Sequence, residues 1–282
     1  MELAPQYLVI GNVTKDLVAD GSFRLGGTAT YAALTAARLG LRTAVLTSCE
    51  AELTPLANEP SVCVQRVSSA STTTFENIYS GWSRRQFIRS EAAMLKPEHL
   101  PVAWRHTPIV HLGPIAHECD PALAQALQSD LLGITPQGWL RMWDGDGLVY
   151  PNPYACAPEL VRSADVVVLS MEDLGNDRAA LAHYARLARL LVLTLGPDGA
   201  MLIQQGRETR VPAFDVPEAD PTGAGDVFAA AFMIRYHETG DALVAATFAN
   251  CVASFVIESV GPANVPTRGQ VQKRLAHGAL RT

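Results

Sequence analysis

Short apolar runs punctuate the chain: Tyr7 to Ile10, Thr43 to Thr47, Ile109 to Leu112, Leu131 to Thr135, Asp165 to Leu169 and Leu190 to Thr194. Continuous apolarity over so few residues reads as strands buried on both faces of a sheet. Helical stretches lie between and after them. One runs to Leu39 and stops at Gly40, a second is read over Pro121 to Asp130, and a third leads from Asp173 to Arg189. The run Val227 to Tyr236 is apolar on nearly every side and ends near Gly240, which makes it a buried helix with a glycine C-cap. Ala242 to Glu258 is a long alanine-rich helix. Strands alternating with helices predict a three-layer α/β/α sandwich around a mainly parallel sheet.

A second pattern departs from this one. Leu17 to Leu25 alternates loosely around Asp20-Gly21, a hairpin signal. Ser61 to Val67, Thr72 to Ser80 and Arg84 to Ser90 are β-rich, with a turn at Ser80-Gly81. In Thr72 to Ser80, one face takes Thr72, Thr74, Glu76, Ile78 and Ser80, the other Thr73, Phe75, Asn77 and Tyr79, and neither is cleanly apolar. The expectation is a small β lid standing away from the core, built from segments at about 13–25 and 61–90; an ordinary edge hairpin is the plainer alternative. Residues 1–282 are read as a single domain carrying that lid.

Composition narrows the classes. With 282 residues, 48% hydrophobic and 18% charged, the chain has ample material for a large core. A net charge of −6 without a basic stripe argues against a nucleic-acid partner. Five scattered cysteines, without C-x-x-C spacing, fit free thiols in a reducing compartment. With no signal-like or spanning apolar run, the expectation is a cytoplasmic protein that does not engage membranes. Among seven histidines no metal-binding spacing stands out.

The chemistry gathers at Asp220-Pro221-Thr222-Gly223-Ala224-Gly225-Asp226. Small residues let a ligand reach the backbone, and glycine permits the positive φ that makes successive N–H groups converge. A glycine turn opening a buried helix is an anion site. A carboxylate beside it suits removal of a proton from a nucleophile that attacks the anion, as in phosphoryl transfer. A plain tight loop with Asp226 as helix cap is the structural alternative. Asp16 follows the first strand, where open α/β sheets bind ligands. Gly26-Gly27 joins the first hairpin to a helix, as a hinge and as a place for substrate to meet the backbone, or as a simple linker.

The heptad resembles the C-terminal signature of the PfkB/ribokinase family of carbohydrate kinases, with Pro221 where a threonine is usual. Its spelling, and the run Gln137-Gly138-Trp139-Leu140-Arg141, are nearest to myo-inositol kinase-like members. The resemblance implies the ribokinase-like fold, with a β lid over the acceptor through which two copies pair in several relatives. It implies ATP and Mg²⁺, with K⁺ near Asp220 and Thr222. Asp226 is then the catalytic base, and the Gly223, Ala224, Gly225 and Asp226 N–H groups form the anion hole. Asp16, Gly26, Gly27, Gln137 and Arg141 fall at the acceptor, where Tyr31 replaces a usual asparagine. Thr194, Gly196, Gly199, Thr222 and Asn250 fall on the nucleotide side, and Gly261 to Thr267 resembles the closing loop. Ser170 and Asp173 take the places of the family's Asn-x-x-Glu, with Glu172 as a stand-in; its acid orders Mg²⁺ through water. Both acids also suit a helix N-terminus. The implied reaction is ATP-dependent phosphorylation of a hydroxyl on a small sugar or polyol. A nucleoside kinase, with Tyr31, Phe75 or Tyr79 as stacking wall, and a non-catalytic sugar sensor are the rivals.

Overall fold

A computed structural model describes residues 4–281 except 19, 58 and 81–82. The chain opens within the main sheet as β1 (Tyr7–Ile10), leaves it for the hairpin β2 (Thr14–Leu17) and β3 (Phe23–Gly26), and returns through α1 (Thr28–Arg38) to β4 (Thr43–Cys49) and β5 (Val62–Ser68). It visits the second sheet again as β6 (Thr74–Ser80) and β7 (Ser83–Ser90), then adds β8 (Ile109–Leu112) and β9 (Leu131–Ile134) on the other side of β1. The hairpin β10 (Arg141–Trp143) and β11 (Val149–Pro151) precedes α2 (Pro158–Ser163), β12 (Val166–Ser170), α3 (Arg178–Leu187) and β13 (Leu191–Thr194). Two antiparallel strands, β14 (Ala200–Gln204) and β15 (Arg207–Val211), finish the sheet before α4 (Ala224–Thr239), α5 (Ala242–Val256) and α6 (Arg268–His277).

The nine strands of the main sheet run in the order β15-β14-β13-β12-β9-β8-β1-β4-β5, parallel from β13 to β5. Alternate residues of β1 feed two separate cores. Tyr7 and Val9 face the layer of α1, α4 and α5, whereas Leu8 and Ile10 face α2 and α3. This double burial is why the runs read as continuous apolarity rather than alternation. The expected α/β/α layering is present.

Three expectations change. Residues 62–68 do not belong to the lid. They pair with β4 along its whole length as the edge strand of the main sheet. Val62, Val64 and Val67 are its half-buried positions and the residues between them are exposed, so an edge strand presents the same mixed pattern as a lid strand. Pro121 to Asp130 is not a long helix but a six-residue 3-10 turn over Pro121–Ala126. Gln128 pairs instead with His106, which takes the backbone away from a helical path. Nor does the helix of the third stretch begin at Asp173: turns occupy 171–176, and Asp177 caps α3 by accepting from the Ala179 and Ala180 N–H groups. The hairpin β10–β11 and the helix α6 are additions to the elements expected from the sequence.

The lid itself is the four-stranded sheet β3-β2-β6-β7, with β2 parallel to β6. Its turn at Ser80-Gly81 lies outside the described residues. Its underside has a small core of its own, where Phe75 and Ile88 pack with Ile115, Ala116, Trp143 and Val149.

Candidate active site

The C-terminal ends of the parallel strands, the lid and the N-termini of α1 and α4 enclose one cleft of about 820 Å³. An open α/β sheet binds ligands at that edge. The N-terminus of α4 is the floor. Gly223, its capping residue, has φ 80°, and a Cβ there would collide with the ring of Tyr31. The turn therefore requires glycine for both backbone and space. The N–H groups of Gly223, Gly225 and Asp226 have no acceptor among the described residues, so they are available to an anion. The Ala224 N–H, expected to join them, donates to Pro221 O at 3.1 Å and closes the turn.

Asp226 is half-buried in the first turn of α4. Its Oδ1 accepts a 2.7 Å hydrogen bond from Thr28 Oγ1, at the start of α1. Burial raises its pKa to about 6; the Thr28 hydrogen bond and the Arg141 charge oppose this, while Asp173 and Asp16 add to it. A carboxylate tuned toward neutrality is suited to accept a proton from a hydroxyl. Thr28 was missed in the sequence. The only available signal was a hydroxyl directly after Gly26-Gly27.

Across the cleft, Asp16 sits on β2. Burial raises its pKa as well, with Thr14 and Arg141 lowering it; Thr14 Oγ1 donates to its Oδ1 at 3.1 Å. A Cβ at Gly26 would strike this carboxylate, and one at Gly27, where φ is 85°, would strike Asn12 O. The double glycine is thus explained by close packing between the lid hairpin and the loop after β1. Arg141 donates to Ile115 O at 3.2 Å and lies over the Phe75 ring. Gln137 Nε2 donates to Asp173 Oδ1 at 3.0 Å, and the Ser170 backbone N–H and hydroxyl both donate to Asp173 Oδ2 at 2.8 Å. Ser170 and Asp173 therefore interlock across their three-residue spacing. Glu172 stands exposed at the rim.

The far end of the cleft is lined by Thr194, Gly196, Gly199, Asp220, Thr222 and Asn250. Asp220 Oδ1 accepts from the Thr222 N–H at 2.9 Å. Asn250 is buried, and its amide donates to Val211 O and Pro212 O at 3.1 and 3.0 Å. A Cβ at Gly199 would meet that same Val211 carbonyl. Asn250 thus braces the loop that backs Gly199. Of the aromatic residues considered as a stacking wall, Tyr31 and Phe75 line the cleft, and the Tyr79 side chain lies outside the described residues.

A further unforeseen residue is Glu118. It is 3% exposed, and its carboxylate accepts from the Asn12, Ile115 and Ala116 N–H groups at 2.7–3.0 Å. It ties the loop after β1 to the loop after β8, and burial pushes its pKa up against those hydrogen bonds. No three-acid or histidine cluster able to cage a metal occurs among the described residues.

Comparison with known proteins bears on the fold. Residues 160–268 match the model of the pfkB family of carbohydrate kinases. Ribokinase of Bacillus subtilis is 38% identical over 87 residues, and fructokinase of Escherichia coli 29% identical over 154 residues. The matched stretches span 30% and 48% of those relatives and 30% and 49% of this chain. Among solved structures, a pyrophosphate-dependent kinase of the ribokinase family, complexed with a pyrophosphate analogue and myo-inositol, superposes with a TM-score of 0.75 at 23% identity, covering 95% of this chain and 99% of that one. Ribokinase from Thermotoga maritima superposes equally well, with a TM-score of 0.75 at 18% identity, covering 97% and 100%. The fold is that of the ribokinase-like kinases. The resemblance to the PfkB family is carried by sequence over 160–268; over nearly the whole chain the likeness is one of fold.

Proposed function

We propose that this chain is an ATP-dependent phosphotransferase acting on a hydroxyl of a small sugar or polyol. The carrying observation is Asp226: a carboxylate with its pKa raised to about 6, held by Thr28 beside three unpaired N–H groups and facing Asp16 across one cleft. In this reading Asp16 and Arg141 hold the acceptor under the lid. Asp226 takes the proton from the attacking hydroxyl, whose oxygen bonds to the γ-phosphorus as the bond to ADP breaks. The N–H groups of Gly223, Gly225 and Asp226 stabilise the charge on the transferring phosphoryl oxygens. Mg²⁺ would neutralise phosphate charge when bound. Asp173 and Glu172 suit it, because Mg²⁺ keeps most of its waters and uses one or two carboxylates rather than a full protein cage. The Asp220–Thr222 turn is the place for K⁺. Leu17, Phe23 and Ile78, exposed on the lid, suit pairing of two copies.

Pyrophosphate as donor is a second reading, favoured by the solved kinase that binds its analogue. Against it, Arg141 is the single Lys or Arg among the described residues lining the cleft, and it lies toward the acceptor side. A bare pyrophosphate needs more positive charge there than a nucleotide, which also binds through its base and ribose. The test is transfer from ATP or pyrophosphate to pooled sugars, polyols and nucleosides. Transfer from ATP to a sugar or polyol is expected. Transfer to nucleosides alone identifies the rival acceptor, and saturable sugar binding without transfer from either donor identifies a sensor.

A further inference from the structure

Three side chains form a buried polar line from the middle of the sheet to the cleft floor. Tyr7 Oη and His111 Nδ1 lie 2.8 Å apart, and His111 Nε2 and Thr135 Oγ1 lie 2.9 Å apart. Tyr7 and His111 are fully buried; Thr135, just past the end of β9, is 8% exposed and lines the cleft. The reading of Asp226 and the anion turn uses none of them.

Counting hydrogens orients the line. A neutral imidazole has one donor nitrogen and one acceptor nitrogen. Burial keeps His111 neutral, with its pKa pushed down to about 3. If Nδ1 carried the hydrogen it would donate to Tyr7 Oη. The tyrosine O–H would then be fully buried with no acceptor among the described residues, an arrangement that native interiors avoid. The other tautomer satisfies every group. Tyr7 donates to Nδ1, Nε2–H donates to Thr135 Oγ1, and the Thr135 hydrogen remains to be donated into the cleft.

That hydrogen is directed into the cleft that holds the base. A Cβ at Gly113 would collide with Thr28 Cγ2 and would stand 3.1 Å from Thr135 Oγ1, so the two threonines flank this glycine. Thr28 in turn holds Asp226. The cleft thus presents an acceptor, Asp226, and, on the other side of Thr28, a donor of fixed polarity, Thr135. This pair is complementary to two adjacent hydroxyls: one gives its proton to Asp226, and the oxygen of its neighbour accepts from Thr135.

We propose that Thr135 is a specificity-determining residue of the acceptor site, whose hydroxyl, polarised by the positioning residues Tyr7 and His111, selects acceptors with a hydroxyl on the carbon adjacent to the one phosphorylated. The proposal rests on the phosphotransfer reading. A site built to bond a hydroxyl rejects the analogue that lacks it.

The experiment has two arms. In ¹⁵N-labelled full-length protein, with His111→Gln for assignment, long-range ¹H–¹⁵N spectra report the tautomer without any substrate. A protonated Nε2 and a bare Nδ1 are expected, and the reverse overturns the proposal. The kinetic arm uses D-ribose, myo-inositol and adenosine, each against its monodeoxy analogues. Thr135→Val should raise the acceptor KM by about 10-fold, the equivalent of one hydrogen bond, with donor KM unchanged. It should also bring the hydroxy-to-deoxy ratio of kcat/KM close to one. Thr135→Ser should restore both, and Tyr7→Phe, remote from substrate, should move them in the direction of Thr135→Val. Melting curves identify any variant that fails to fold; if Thr135→Val does, Thr135→Ala, which also lacks the hydroxyl, carries the comparison against Thr135→Ser. Wild-type turnover with a Thr135→Val ratio unchanged within two-fold overturns the proposal alone. Absence of transfer to every acceptor overturns the phosphotransfer reading and this role together.

Discussion

At the scale of single residues, Asp226 couples activity to stability in opposite senses. Its native pKa, about 6, lies above the ordinary aspartate value of 3.8. Between those values the native state holds more protons than the unfolded one, so this group's contribution to stability is fully present below about 3.8 and is lost as pH rises through 6. Catalysis needs the ionised form. The first prediction is therefore that kcat/KM falls on the acid side with an apparent pKa near 6, while Asp226→Asn loses ~10²–10⁴-fold in kcat. The same variant should melt higher than wild type at pH 7.5, with the gap closing by pH 4, because the amide avoids a buried charge. Thermal melts across pH check the sign. Thr28 lowers the Asp226 pKa, so Thr28→Val should move the acid limb of the pH–rate profile upward; an unmoved limb would mean that the 2.7 Å bond does not tune the base.

Among elements, the lid carries the next prediction. β2 and β3 join α1 through Gly26-Gly27, and β6 and β7 rest on a small core around Phe75 and Ile88. A sheet with so modest a core should open at lower free energy than the nine-stranded sheet. Acceptor binding should slow amide exchange in residues 14–26 and 74–90, and ATP alone should do so less. Residues 62–68 serve as an internal control, since they belong to the main sheet and should not respond. Gly27→Val should lower kcat/KM for the acceptor, because a β-branched residue resists φ 85° and its Cβ would strike Asn12 O. Equal protection of 62–68 and the lid would indicate tightening of the whole fold instead of closure.

For the whole molecule, the cleft is lined from both halves of the chain. Asp16, Arg141 and the lid come from residues 1–141, and the β13–β14 loop, Asp220 and Asn250 from the rest. Asp16→Ala should raise the acceptor KM and leave the ATP KM nearly unchanged. Asn250→Ala should do the reverse. It would also cost about 1–3 kcal/mol of stability, because the Val211 and Pro212 carbonyls lose their donor and the loop behind Gly199 loosens. Steady-state kinetics with each substrate varied, together with denaturant melts, separate these effects.

How much of this was legible in the sequence follows from the range of the forces involved. Local rules reach as far as a turn of helix or a strand. Doubly buried strands announce themselves by unbroken apolarity, Gly240 by stopping a helix, and the Gly223-to-Asp226 turn by needing small residues in consecutive positions. These were enough for the layered fold and for expecting a glycine turn with Asp226 at the start of a buried helix. What depends on distant pairing was not legible. An edge strand and a lid strand share one alternating pattern, so only the pairing of β5 with β4 placed 62–68 in the main sheet. Thr28 meets Asp226 across 198 residues, Glu118 meets Asn12 across 106, and Tyr7 reaches His111 across 104. Nothing within a helical or strand period connects such pairs. Each is a common polar residue until burial removes water and leaves it a single partner, and that selection is made by the tertiary structure alone.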